Sequence, residues 1–295
     1  MNNTTVKGFS KLSKEGKIEW IVNKYLGGDD KSVDLLKSYW HEDESVQKIH
    51  DEFIENTITN FYLPFGVAPN FLINGRIYCI PMAIEESSVV AAAAKNASFW
   101  MNRGGFKSEV ISTTKIGHVH FAWYGDFEKL KVFFESIKYK FIEETQNLTN
   151  NMRSRGGGIL DIQILNKTHL EPNYYQIQAK FETCEAMGAN FINSLLEEFS
   201  KIFERELNES NFSKEEKKLV ILMCILSNYT PECLVRCEVS CSIEELADDP
   251  SIDVNVFAKK FEQAIHVANI EPYRATTHNK GIFNGIDAVI IATGN

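Results

Sequence analysis

The sequence predicts an α+β protein: an α-rich large domain carrying an inserted ferredoxin-like small domain. Three observations predict it. Over residues 112–228, alternating and helical apolar patterns follow in the order strand, helix, strand, strand, helix, strand. On either side the patterns are mostly helical, and neither flank looks complete alone. The chain has 295 residues, 44% of them apolar, which suffices for one large or two medium cores.

The elements follow in order. Ile18, Ile21, Val22 and Tyr25 fall at helical spacing after "SKEGK", and "SVDLLKSYW" and "SVQKIHDEFIENTI" continue in helical fashion. "NFLINGRIYCIP" reads as a hairpin, because Asn74 and Gly75 both accept the positive φ of a two-residue turn. "SSVVAAAAKNASFWM" is a small-residue helix. In "KIGHVHFAW", Val119, Phe121 and Trp123 share a strand face. Phe127, Leu130, Phe134, Ile137 and Phe141 mark an amphipathic helix. "ILDIQIL" alternates on Leu160, Ile162 and Ile164, and "YYQIQAKFE" on Tyr175, Ile177, Ala179 and Phe181. Ile192, Leu195, Phe199 and Ile202 mark a second long helix. "KLVILMCILSN" is apolar throughout and is expected at the centre of the sheet. The boundaries are 1–111 for the first part of the large domain, 112–228 for the insert and 229–295 for the continuation. That continuation holds "CLVRCEVSC", a helix through "VNVFAKKFEQAIHVANI", and the terminal "RATTHNKGIFNGIDAVIIATGN".

Composition narrows the function. A net charge of −9 argues against a nucleic-acid partner, which calls for a basic stripe. The longest apolar run in the second half, Leu219 to Leu226, is too short to span a bilayer, and no signal-peptide pattern opens the chain. A cytoplasmic protein is expected. Six cysteines occur, with no C-x-x-C pair. Cys233, Cys237 and Cys241 fall four apart, but as buried small hydrophobes on a strand rather than metal ligands. His118 and His120 form an H-x-H pair without a third ligand, so no metal is expected.

Three stretches exceed what a fold requires. Glu85 and Glu86 precede the Ala-rich helix and are followed by Ser87 and Ser88. One carboxylate could cap the helix. A second, partly buried, would have a raised pKa and could donate a proton. In "CEAMGAN", Gly188 among small residues at a helix start exposes backbone N–H groups able to receive a phosphate. No G-x-G-x-x-G is present, which excludes a Rossmann site. Near the terminus, Lys280 beside Gly281 could bring an ammonium to a developing oxyanion, and Arg274 could hold a carboxylate in fork geometry. That segment reads as a turn feeding a helix.

With these stretches in hand, the chain resembles 3-hydroxy-3-methylglutaryl-coenzyme A reductases of the bacterial class II type. "IENTITNFYLPFGVAPNFLINGRIYCIPMAIEESSVVAAAA", "RGGG", "EAMGAN" and the terminal motif carry the resemblance, over nearly the whole chain after the first helices. It implies two hydride transfers from NADPH or NADH that convert a coenzyme A thioester to mevalonate and free coenzyme A, or the reverse, in isoprenoid metabolism. It implies Glu86 as proton donor and Lys280 as the group steadying the oxyanion. Ser88, Arg274 and Asn284 would hold the acyl part. Glu185, Met187, Gly188, Ala189, Asn190 and Asn228 would hold the cofactor, on a ferredoxin-like small domain. "ENTIT" would lie at a homodimer interface.

This sequence departs from the family pattern at Ser87, where a proline is usual, at Glu185, where an aspartate is usual, and at Thr59, where a glycine is usual. The aspartate expected after "ATGN", a glycine-rich segment and a helical part bearing a histidine are expected beyond Asn295, so the chain reads as truncated and, as written, of little or no activity. Asn166 and Lys167 ending "DIQILNK" suit a 2′-phosphate and lean the cofactor toward NADPH. Two other readings are a non-catalytic nucleotide-binding or dimerisation remnant, and a different dehydrogenase acting on acyl-coenzyme A thioesters.

Overall fold

Local capping rules start the first three helices. In the computed structural model, which describes residues 5–294, Ser13 accepts from the Gly16 N–H and opens α1 (Lys14–Tyr25). Asp29 and Asp43 do the same for α2 (Asp30–Ser38) and α3 (Glu44–Glu52). Ile18 and Val22 are the buried residues of α1. A hairpin follows, β1 (Phe65–Ile73) and β2 (Arg76–Ala83), paired antiparallel. Its turn is Asn74-Gly75, with φ of 49° and 80°, as the sequence predicts. α4 (Val89–Met101) packs across β1, and its alanines allow the close approach.

The next unit, Phe106–Ser240, is compact in itself. It opens with β3 (Lys107–Trp123), far longer than the expected strand. Then come α5 (Phe127–Glu144), α6 (Gln146–Arg153), β4 (Gly158–Asn166) and β5 (Tyr174–Glu182). After α7 (Ala189–Glu209), β6 (Leu219–Leu226) and β7 (Cys233–Glu238) complete it. The strand order is β4-β5-β3-β6, antiparallel throughout, the order of a split β-α-β arrangement. Val119, Phe121, Trp123, Ile177, Ala179 and Phe181 point to one face and are fully buried. Against them lie Leu130, Phe134 and Phe141 of α5 and Ile192, Leu195, Phe199 and Ile202 of α7, each fully buried. These are the positions that the two periodicities select.

Four details differ from the sequence reading. β6 is apolar throughout but lies at the edge of the sheet beside β3, and its outward residues Val220, Leu222 and Met223 are about half exposed. An apolar run reports that both faces lack charge, not that both are covered. Leu160 is exposed, because a bulge between Ile159 and Asp161 shifts the strand phase. α6 lies in a polar stretch with no apolar periodicity to announce it. The segment around β7, read as part of the large-domain continuation, pairs with the first half of β3. Cys233 and Cys237 are on β7 and Cys241 lies beyond it, and none of the three is buried as expected, because β7 is an edge strand with mostly exposed residues.

The chain then returns to the first unit, which comprises the segments up to Gly105 and from Cys241 onward. It adds α8 (Val254–Ile270), capped by Asp253, and α9 (Pro272–Thr293), which packs against β2. Ala288 of α9, Ala68 of β1 and Met82 of β2 form the buried centre of a small core, joined by Val89, Val90, Ala93 and Ala94 of α4. Among the described residues, no helix is long and apolar enough to cross a membrane.

Candidate active site

Glu86 lies in the turn between β2 and α4. Neither Glu85 nor Glu86 caps α4: the cap position is Ser88, held left-handed at φ 73°, and no side chain accepts there. The carboxylate of Glu86 instead accepts from Lys280 Nζ and, at 3.0 Å, from Asn284 Nδ2. Lys280 and Asn284 are one turn apart on α9, so both side chains leave the same side of the helix. Glu86 is exposed, and the Lys280 ammonium holds its carboxyl below the usual value, with Asn284 helping. The expectation of a raised pKa from burial is therefore corrected: in this state Glu86 is an ionised carboxylate.

The terminal segment is also corrected. It is not a turn. Arg274, His278, Lys280 and Gly281 all lie inside α9, a helix of 22 residues. Glu271 caps it by accepting from the Tyr273 and Arg274 N–H groups, and Pro272 fits its first turn. Thr276 and Thr277 bond back to carbonyls four residues earlier, which absorbs their polarity within the helix. Arg274 is exposed and lies nearly two turns before Lys280. The structure thus brings Glu86, Lys280 and Asn284 into contact and places Ser88 beside them. Arg274 shares their helix without touching Glu86.

Two open cavities adjoin Glu86. One, about 420 Å³, lies between α4 and α9 and is lined by Glu86, Ser88, Ala92, Gly281, Asn284 and Gly285, among others. The second, about 580 Å³, is mainly apolar, with Phe65, Val67, Ile84 and Val90 among its lining, and also reaches Glu86 and Ser88. A carbonyl compound held here would meet an ammonium, a carboxylate, an amide and a hydroxyl along one edge.

In the unit Phe106–Ser240, the second cluster surrounds the start of α7. Gly188 has φ 78°, and a Cβ there would meet Thr183 Cγ2 at 2.5 Å, so only glycine fits this turn. Thr183 Oγ1 donates to the Ala186 carbonyl and closes the loop. No side chain caps α7, which leaves the first N–H groups of a 21-residue helix for an anion. Glu185, Met187 and Asn190 are exposed around that end, with Ala189 in the first turn. Asn228 follows β6, whose last residue Leu226 gives its N–H to Asn193 Oδ1 at 2.9 Å. Asn193 thereby ties the end of β6 to the start of α7, and the exposed Asn228 follows two residues later. The sequence reading missed Asn193, because an amide inside a helical pattern carries no signal of its own. The Gly188 turn and the uncapped N–H groups of α7 fit a phosphate of a dinucleotide, whereas the Glu185 carboxylate does not. Lys167 does not join them. β4 pairs its first residue, Gly158, with Glu182 beside the Gly188 loop, and Lys167 follows its far end. A nine-residue strand separates the two by roughly 25 Å.

The H-x-H pair lies on the open face of the same sheet. His120 Nδ1 lies 2.6 Å from Tyr174 Oη, and Gln178 Nε2 donates to His118 Nε2 at 3.0 Å. Burial pushes the His118 pKa down to about 4, with help from His120 and Lys167. Among the described residues, no group of three or more His, Cys, Asp or Glu stands together as a metal site.

Comparison with known proteins adds a family. A family model described as hydroxymethylglutaryl-coenzyme A reductase matches residues 19–295. The chain is similar to the 3-hydroxy-3-methylglutaryl-coenzyme A reductase of Archaeoglobus fulgidus, 30% identical over 295 residues, covering 99% of this chain and 62% of that protein. The probable 3-hydroxy-3-methylglutaryl-coenzyme A reductase of Borreliella burgdorferi is 30% identical over 307 residues, covering 100% of this chain and 64% of that one. Among solved structures, the reductase of Streptococcus pneumoniae superposes with a TM-score of 0.74 at 32% identity, over 99% of this chain and 65% of that chain. The class II enzyme of Streptococcus pneumoniae, bound to NADPH in open conformations, gives a TM-score of 0.72 at 31% identity, over 99% and 74%. The chain therefore spans a little under two thirds of the length of the two curated relatives.

Proposed function

The chain belongs to the hydroxymethylglutaryl-coenzyme A reductase family, and from that premise we propose that it carries the acyl-reducing site of such an enzyme. The reaction takes the coenzyme A thioester of 3-hydroxy-3-methylglutarate to mevalonate and free coenzyme A, or runs in reverse. Two hydrides and two protons are consumed in the reducing direction. The observation that carries the reading is the meeting of Lys280 and Glu86 beside Asn284 and Ser88. When bound, the nicotinamide supplies hydride to the carbonyl carbon.

The residues of the chain handle the oxygen and the proton. Lys280 turns its ammonium to the thioester oxygen and stabilises the charge that develops there. Its departure removes the main interaction that keeps the Glu86 carboxyl low. Substrate entry also excludes water, which raises that pKa further. Glu86 then becomes the acid that protonates the aldehyde oxygen in the second reduction. Ser88 and Asn284 orient the acyl group, and Arg274 holds its free carboxylate. Glu185, Met187, Gly188, Ala189, Asn190 and Asn228 hold the dinucleotide. The unit Phe106–Ser240 serves as the cofactor domain and the other unit as the substrate domain. NADPH is the preferred cofactor: the NADPH-bound relative supports it, while the position of Lys167 removes the sequence argument for it.

We also propose a homodimer in the cytoplasm. Phe53, Ile54, Phe61 and Phe65 near the "ENTIT" segment are each more than 60% exposed, and α8 adds exposed Phe261 and Ile265, an apolar surface that asks for a partner. The described cysteines are all free, which suits a reducing compartment.

The test is calorimetric binding of the hydroxymethylglutaryl thioester, with a spectrophotometric assay with each nicotinamide cofactor beside it, on wild type and on Lys280→Met. Thioester binding that weakens tenfold or more in the variant, with or without turnover in the wild type, supports the reading. Binding or turnover that survives the substitution unchanged would sink it.

A further inference from the structure

Gly281 and Gly285 are placed where glycine is a poor choice. Both lie inside α9, where glycine is less favourable than alanine because it loses more backbone freedom on folding. Neither has a positive φ. A Cβ built on either meets nothing within 4 Å. Gly105 and Gly188, by contrast, justify themselves: a Cβ at Gly105 would strike the Leu72 carbonyl at 2.3 Å, and one at Gly188 would strike Thr183. Gly281 and Gly285 have no such reason within the chain. The reason lies in what approaches them.

Their surroundings say what that is. Both line the cavity between α4 and α9 that also holds Glu86, Ser88 and Asn284. The opposite wall is Ala92 and Ala93, equally short. Along α9, Gly281 and Gly285 follow Arg274 by seven and eleven residues, so the three share one stripe, with Asn284 beside it. The bulky apolar residues Ile282, Phe283, Ile286 and Ile290 fall on the other sides of the helix. A partner surface would find apolar anchors on those sides of α9 and none on the stripe.

We propose that Gly281 and Gly285 are specificity-determining positions: their bare backbone gives the branched acyl thioester its path along α9, between Arg274 and the Glu86–Lys280 pair. The inference rests on the reductase reading and sharpens it. A methyl group at either position occupies the space of the acyl group while filling no gap and meeting no neighbour in the ligand-free protein.

The test measures stability and binding together, on the intact protein and its Gly281→Ala and Gly285→Ala variants. Melting temperature, the dissociation constants for the hydroxymethylglutaryl thioester and for NADPH, and molecular mass by light scattering are read for each. The expected result is a melting temperature raised by a few degrees, thioester affinity weakened about tenfold or more, and NADPH affinity and mass unchanged. Variants that bind the thioester as wild type does would overturn the inference. So would a lowered melting temperature, which assigns the glycines to the fold, or a changed mass with thioester affinity kept, which assigns them to a partner copy. A wild type that binds NADPH but no thioester would instead strike the reductase reading itself.

Discussion

Lys280 donates to the carboxylate of Glu86 across 194 residues of chain, joining the loop before α4 to the middle of α9. Both side chains are substantially exposed, at 61% for Lys280 and 46% for Glu86. Exposed ion pairs contribute little to stability. A contact that stabilises so little, yet spans so much of the sequence, is better explained by what the two groups do to a bound carbonyl. We therefore expect Glu86→Gln and Lys280→Met to lower any turnover the chain shows by roughly 10²–10³-fold, and Lys280→Met to weaken thioester binding about tenfold, while both leave the unfolding midpoint nearly unchanged. Far-ultraviolet melting curves run beside the kinetics check this. A large drop in melting temperature would mean that the pair is structural.

The sequence made one half of this pair far easier to read than the other. Glu86 stands before an Ala-rich helix, and the hairpin and helix around it have strong local signals. Lys280 was legible as a reactive group, but its setting was read as a turn. Two glycines, two threonines and two asparagines within fifteen positions argue locally against a helix. Tertiary packing of Ala288 against Ala68 and Met82, and the Glu271 cap, outweigh that propensity. The edge position of β6 was hidden for a related reason. Strand order is a long-range property, and hydrophobicity alone does not distinguish a covered face from an open one. By contrast, β3, β5, α5 and α7 each bury the residues their periods select, because in this sheet one face is packed and register is fixed by it.

The folded unit Phe106–Ser240 should lose stability in mild acid. Folded His118 takes a proton only near pH 4, whereas unfolded it does so near 6.5. The burial of His120 acts in the same direction. Between these values the unfolded chain binds more protons, so stability falls as pH drops from 6.5 toward 4 and is flat above 6.5. Urea unfolding at pH 7 and at pH 5 measures this. His118→Gln, which keeps a partner for Gln178, should flatten the slope, and an unchanged slope would contradict the assignment.

Arg103 should be a structural anchor of the unit to which it belongs. Only 6% of its side chain is exposed. It donates to the Phe99 carbonyl, to the Glu245 carbonyl at 2.6 Å and to Asp248 at 2.5 Å, and its guanidinium stacks 3.7 Å from the Phe99 ring. The end of α4 is thereby held to the segment that leads into α8. Arg103→Ala should cost about 2 kcal/mol, because the two carbonyls lose a charged donor and the ring loses its cover. Equilibrium unfolding reads this, and Arg103→Lys should recover less than half, since one ammonium cannot serve three partners in a fork.

Gly117 offers the sharpest test of the packing in the cofactor unit. It lies in the middle of β3, on the strand that pairs with both β5 and β6. A Cβ at this position would lie 2.7 Å from Leu196 Cδ1 and 2.8 Å from Ile192 Cγ2, both fully buried side chains of α7. Neither neighbour can swing away, because the surrounding core is filled by Phe199, Val119 and Phe181. Gly117→Ala should therefore cost about 1–3 kcal/mol through overpacking, against the small gain that alanine normally brings a strand. Displacing α7 also moves the Gly188 turn at its start, so NADPH affinity should fall in the same variant. Leu196→Ala removes the struck atom but also empties a buried site, so the double variant should lose clearly less stability and NADPH affinity than the sum of the two single losses; two losses that merely add would refute the contact.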